Sequence, residues 1–235
     1  MEITPELSTL SVLLLGFFLG LSHAIEADHL AAVSAIVSEK KNIFSAAIVG
    51  GLWGVGHTIS LFVVGATAVF LKLQISETTE AKLEAIVGGM LVLLGLNALK
   101  NLFTAKEIHA HTHEHGARAH THFHLHKDEE AKEKSHHRFS PRSVLIGMVH
   151  GLAGSAALTI AVVPTIKSPV VALAYILIFG VGSIGGMMLM SFIIGLPFHF
   201  TASSFVFLNK AIRFGAGVFS FGLGMFIVYE KLLQG

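Results

Sequence analysis

Residues 10–29 read LSVLLLGFFLGLSHAIEADH. The stretch opens as an apolar run of the kind that crosses a hydrocarbon core about 30 Å thick, or about 20 residues of helix. It then sets two imidazoles and two carboxylates, His23, Glu26, Asp28 and His29, where lipid would surround them. On translocon-type scales a carboxylate at a helix centre costs about 2.5–3.5 kcal/mol, so Glu26 and Asp28 together cost about 5–7 kcal/mol. Leu, Ala or Val would avoid that cost, so something must offset it. One divalent cation cancels two carboxylates, and imidazoles add the nitrogen donors that Ni²⁺, Co²⁺ and Zn²⁺ favour. Mutual neutralisation, by protonation or pairing within the group, is the alternative.

Helical geometry constrains the cluster. At about 100° per residue, His23, Glu26 and His29 share a face about 120° wide, while Asp28 points about 100° from His29 and about 140° from His23. A regular helix therefore cannot aim His23, Asp28 and His29 at one ion. Either Glu26 is the third ligand, or the helix unwinds locally.

Working outward, six apolar segments are expected, at about 9–37, 44–71, 81–103, 142–166, 169–196 and 204–230. Pro164 and Pro169 bracket one turn, and Pro197 is expected to end the fifth segment. Composition agrees: 53% of residues are hydrophobic, 13% charged, and mean hydropathy is +0.71. A soluble domain carries roughly 25% charged residues. The reading is an all-α integral membrane protein, bound to a lipid bilayer. Net charge of +1 leaves no nucleic-acid footprint, and the absence of cysteine removes disulfides, Cys-ligated zinc and iron–sulfur clusters. The start, MEITPELSTL, has no basic region, so the first apolar run is expected to be a retained helix.

Lysine and arginine set the orientation. One side of the six-span arrangement holds Lys72, Lys82, Lys167 and Lys231, and the other holds the remaining twelve. The positive-inside rule then puts both termini outside the plasma membrane and the 104–140 connection in the cytoplasm.

The halves echo each other. Gly20-Leu-Ser-His23-Ala24 is matched by Gly147-Met-Val-His150-Gly151, and Trp53-Gly-Val-Gly-His57 by Phe179-Gly-Val-Gly-Ser183. Three helices per half makes the second copy inverted, a recurring secondary-transporter design with its site near the midplane. Domains follow as 1–103 (first three-helix repeat), 104–140 (a low-complexity, mobile His-rich loop) and 141–235 (second repeat). His150 is the counterpart of His23, and His57 lies mid-span between glycines, so both join the candidate metal ligands. Met187, Met188 and Met190 are read as packing rather than as a copper site.

Ten of the fifteen histidines fall in the 104–140 segment: His109, His111, His113, His115, His120, His122, His124, His126, His136 and His137. In an extended chain alternate residues share a side, so both HxHxHxH runs offer several imidazoles to one ion and form a weak, unselective metal-binding tract.

On these motifs the chain resembles the nickel/cobalt transporter (NiCoT, or NicO) family of secondary permeases. His23-Ala-Ile-Glu-Ala-Asp28-His29 fits that family's H-x4-D-H signature, and the likeness extends to Gly-x-Gly-His57-Thr and the GxxHGLxG-like stretch at His150. The resemblance implies Ni²⁺ or Co²⁺ as cargo, with Zn²⁺ chemically admissible, and His23, Asp28 and His29 as ligands. Six helices suit the shorter, urease-accessory-like branch, whereas the best-known importers have eight. The His-rich loop is similar to that of the efflux branch.

The expected function is therefore uptake by alternating access, with the ion leaving past His150 and His199 to a cytoplasmic metal chaperone. A 2+ charge moving inward gains about 4.6 kcal/mol per 100 mV, and no Walker-type sequence is present. Nickel/cobalt efflux is the alternative direction. Other classes are a membrane-embedded metal- or haem-binding enzyme, with His23 and His150 as axial ligands, and a metal store built on the loop. Neither HExxH spacing nor di-iron His boxes occur in the spans, so no enzyme and no prosthetic group is expected.

Overall fold

The computed structural model describes residues 8–38, 40, 42–71, 76–104, 110–115, 118–123, 141–162, 166 and 168–234. Seven α-helices occur among them: α1 (Thr9–His23), α2 (Ala27–Val37), α3 (Ile43–Leu71), α4 (Glu77–Thr104), α5 (Pro141–Val162), α6 (Pro169–Ser204) and α7 (Val206–Tyr229), which runs on into a π-helical turn at Glu230–Gln234. The ends follow ordinary capping chemistry. The Ser8 hydroxyl accepts the Ser11 N–H, the Asn42 side chain accepts that of Phe44, and Ser76 accepts that of Thr79. Pro141 opens α5 and Pro169 opens α6, where a missing N–H costs nothing.

Three expectations are revised. The segment at 9–37 is two helices, α1 and α2, whose axes turn by 53° at the break. The fifth segment does not end at Pro197, because α6 continues to Ser204. Proline there removes one ladder bond, and polar side chains brace the turn that follows it. Thr201 Oγ1 donates to the Pro197 carbonyl at 2.6 Å, and Asn209 Nδ2 donates to the Phe198 carbonyl at 3.0 Å and to Thr201 Oγ1 at 2.9 Å. The bonds of Asn209 tie that turn to α7, and support from a neighbouring helix is one condition under which membrane helices tolerate proline. Thirdly, the loop contains an antiparallel pair, β1 (Ala110–His115) and β2 (Arg118–Phe123), with His111 opposite His122 and His113 opposite His120. Alternating sequence with threonine between the histidines suits extended chain.

The four helices α3, α4, α6 and α7 are long and apolar enough to cross a membrane, and the bent pair α1–α2 makes a fifth span if counted as one. Helix α5 has 22 residues, with side chains described as far as Ala153. Large apolar side chains face outward along the helices, among them Phe207, Phe103 and Val170, as lipid contact requires. In the packing, α3 lies against α5 and α6, α1 against α6, α4 against α7, and the short α2 sits among α4, α6 and α7. Small residues make these contacts close. A methyl group at Gly20 would collide with the Phe179 carbonyl, at Gly147 with that of Trp53, at Gly56 with that of Val144, and at Gly182 with that of Phe17.

Candidate metal centre

The site is built on the break between α1 and α2. Ile25 N–H bonds the Ser22 carbonyl and Glu26 N–H bonds the His23 carbonyl, so the last turn of α1 tightens to three-residue spacing. Glu26 is then extended, with φ −62° and ψ 149°, and starts α2. The Asp28 carboxylate accepts the backbone N–H of His29 at 2.8 Å. It thereby satisfies one of the donors that a helix start leaves open, and places negative charge at the positive end of the dipole. The cluster's own carboxylate therefore supports the break.

Because of this break, His23 at the end of α1 and His29 at the start of α2 face one space. His57 enters it from the middle of α3, and His150 from α5. Glycines bring the latter two together: a methyl group at Gly151 would run into the His57 carbonyl. All four imidazoles are buried. Ring centroids are 4.3 Å apart for His23 and His29, 5.2 Å for His23 and His57, 5.4 Å for His29 and His57, and 4.2 Å for His29 and His150. Two groups of side chains have donor atoms within 4.8 Å of one another: His23 with His29 and His57, and Asp28 with His29 and His150. His29 belongs to both.

The carboxylates bond to imidazole edges. Glu26 Oε1 lies 2.7 Å from His23 Nδ1, Asp28 Oδ1 lies 3.0 Å from His29 Nδ1, and Asp28 Oδ2 lies 3.0 Å from His150 Nε2. A carboxylate only accepts, so each of these ring nitrogens carries the hydrogen. In the neutral ring the opposite nitrogen then presents a lone pair. Among the described residues, those opposite atoms, His23 Nε2, His29 Nε2 and His150 Nδ1, are buried without a hydrogen-bond partner, as are both ring nitrogens of His57. A buried polar atom left unpaired costs about 1–3 kcal/mol. In neutral rings the five atoms around this space present four lone pairs and one N–H of His57, a donor set that suits an acceptor of lone pairs.

All six candidates read from the spans, His23, Glu26, Asp28, His29, His57 and His150, therefore converge. Of the loop candidates, His111, His113, His115, His120 and His122 lie in β1 and β2, far in sequence from this cluster. His109, His124, His126, His136 and His137 lie outside the described residues. His199, in α6, packs its ring on Phe200 with centroids 5.8 Å apart. Sequence reasoning passed over Trp53, whose indole lies 5.3 Å from both His29 and His150 and walls the site; its place in the repeated motif with His57 was the available signal. It also passed over Glu84, paired with Lys231 at 2.7 Å on the wall of an adjoining cavity of about 330 Å³ that Glu26 and Asp28 also line.

Comparison with known proteins agrees with this chemistry. The family model NicO, described as high-affinity nickel-transport protein, matches residues 9–226. The urease accessory protein UreH of Bacillus sp. (strain TB-90) is 36% identical over 236 residues, covering 96% of this chain and 93% of that protein. No solved structure matches the chain. Buried imidazoles with open lone pairs on a broken membrane helix, in a chain matched almost end to end by that model, make this protein a member of the NicO family of nickel-transport proteins.

Proposed function

We propose that the protein is a secondary permease that carries Ni²⁺ or Co²⁺ inward across the plasma membrane, binding the ion at the buried cluster on its way. The observation that carries this reading is the set of five partnerless imidazole nitrogens. His23, His29 and His57 supply the nitrogen donors, and Asp28, His29 and His150 form the adjoining group. Donors on one ion, each at about 2.0–2.1 Å, lie at most about 4.2 Å apart. Separations within 4.8 Å need only a small inward shift of the rings. Glu26 and Asp28 hold their imidazoles in the tautomer that offers a lone pair, the arrangement that orients histidine in protein metal sites. They also supply the two negative charges that make a bound dication neutral overall.

The packing supports a 3+3 inverted repeat of six spans, with α1–α2 as one. When α1–α2, α3 and α4 are exchanged for α5, α6 and α7, the most extensive neighbour relations are preserved: α3 on α5 becomes α6 on α1, α2 on α7 becomes α5 on α4, and the pairs α3–α6 and α4–α7 map onto themselves. The smaller contacts of α2 with α4 and of α6 with α7 have no comparable counterpart among the described residues. The glycine contacts follow the same exchange. Gly20 on Phe179 becomes Gly147 on Trp53, and Gly182 on Phe17 becomes Gly56 on Val144. Such a relation lets two halves rock about a central site.

The charge distribution of the connections supports termini outside and the His-rich loop in the cytoplasm, where the loop histidines would bind metal weakly. The name of the UreH relative supports a protein acceptor downstream, in the manner of a metal chaperone. The membrane potential favours inward movement of a dication. Cells expressing the protein should accumulate nickel from dilute medium; a fall in cell nickel relative to cells lacking it would overturn uptake and leave efflux.

A further inference from the structure

Glu84 and Lys231 belong to none of the groups assigned so far. Glu84 lies seven residues into α4, about 10 Å along its axis. Lys231 lies in the π-helical turn after α7. Their side chains pair at 2.7 Å and are partly exposed, by 35% for Lys231 and 23% for Glu84. Glu80 and Glu230 stand near enough to act on the ammonium as well. The pair lines the cavity of about 330 Å³ whose wall is continued by Ala153 of α5 and by Glu26 and Asp28. One space thus joins a charged pair near the helix ends to the carboxylates of the buried cluster, and Glu26, with its side chain 41% exposed, is the most open member of that cluster.

We infer that this cavity is the route between the buried cluster and the face where α4 begins and α7 ends, with Glu84 as the outermost carboxylate of its lining to hold the cation and Lys231 as a tethered cation that the metal displaces. The inference rests on the nickel-permease reading. At rest Glu84 and Lys231 cancel, and Glu80 and Glu230 leave the mouth net negative, which favours the approach of a cation. A dication draws more strongly on Glu84 than a single ammonium does, and the long flexible stem of Lys231 lets its head swing outward to Glu80 and Glu230. A staple between α4 and α7 would need only the pair; it would not need a cavity with further carboxylates at its inner end.

The test is Ni²⁺ flux by the full chain in proteoliposomes, with unaltered protein and His29→Ala as references. Flux in the first and its loss in the second establish the permease reading independently. Glu84→Gln should then raise KM for Ni²⁺ about tenfold, at the low end of what charge-lined clefts contribute, with kcat held within about twofold. Lys231→Gln should not raise KM. The double exchange Glu84→Lys with Lys231→Glu keeps an ion pair but puts the fixed cation deeper in the route, and it should lower kcat/KM at least as far as Glu84→Gln does. An unchanged KM in Glu84→Gln, or normal kinetics in the double exchange, would make the pair a staple and overturn the inference. Absence of Ni²⁺ flux in the unaltered protein would instead remove the permease reading on which it stands.

Discussion

Asp28 accepts three hydrogen bonds, from the backbone and ring N–H groups of His29 and from the ring N–H of His150. Its carboxylate therefore sets the direction of two imidazoles. Removing such an orienting partner typically costs 10–100-fold in metal affinity. Asp28→Asn should accordingly weaken Ni²⁺ binding by about 10–100-fold, measured by titration calorimetry on the purified protein, and Asp28→Ala by no less. Glu26→Gln should cost less, near the low end of about 10-fold, because Glu26 holds one ring and is itself open to the cavity. Equal losses for Glu26→Gln and Asp28→Asn would show that the two acids act alike, as direct ligands. The four groups of the first motif were legible in the sequence because ionisable side chains in an apolar run demand a reason. Glu84 and Lys231 were not. Near helix ends the same residue types look like ordinary solvated charge, and only the fold shows which carboxylate meets which lysine.

At the scale of elements, the helical wheel could state that His23, Asp28 and His29 cannot share a target on a regular helix, and the break between α1 and α2 is where that conflict resolves. It could not locate the break, because residues 24–26 contain neither glycine nor proline; hydrogen bonding within the cluster decides it. Pro197 misled in the opposite direction. The helix continues beyond it to Ser204, and the bonds of Asn209 in α7 to Phe198 and Thr201 that brace this turn are tertiary facts. Glycines divide by environment in a way that sequence does not reveal. Gly20→Val and Gly147→Val should both lower the thermal midpoint and the yield of monodisperse protein in detergent, since each side chain would run into a facing carbonyl. Gly185→Ala, with no facing atom of the described residues within 4 Å of the added methyl group, should leave both unchanged. A tolerated Gly147→Val would mean that α5 does not approach α3 as described.

For the molecule as a whole, the echo between Gly20-Leu-Ser-His23 and Gly147-Met-Val-His150 was legible as a pattern, and the neighbour relations among the helices are compatible with the exchange of halves it implies. What the pattern could not supply was the asymmetry of the site. The counterpart of His57 is Ser183, and Asp28 joins His29 to His150 across the two halves. The His-rich segment is separate in sequence from this centre, so deletion of residues 108–137 should leave Ni²⁺ flux intact while reducing the number of weakly bound ions per chain; loss of flux would move the function into the loop. The most direct test of the buried centre is flux of Ni²⁺ into proteoliposomes under an imposed inside-negative potential, comparing the unaltered chain with His23→Ala, His29→Ala and His57→Ala. The expected result is potential-driven flux that each of the three substitutions lowers by about 10-fold or more. Undiminished flux in all three would contradict a route through the imidazole cluster.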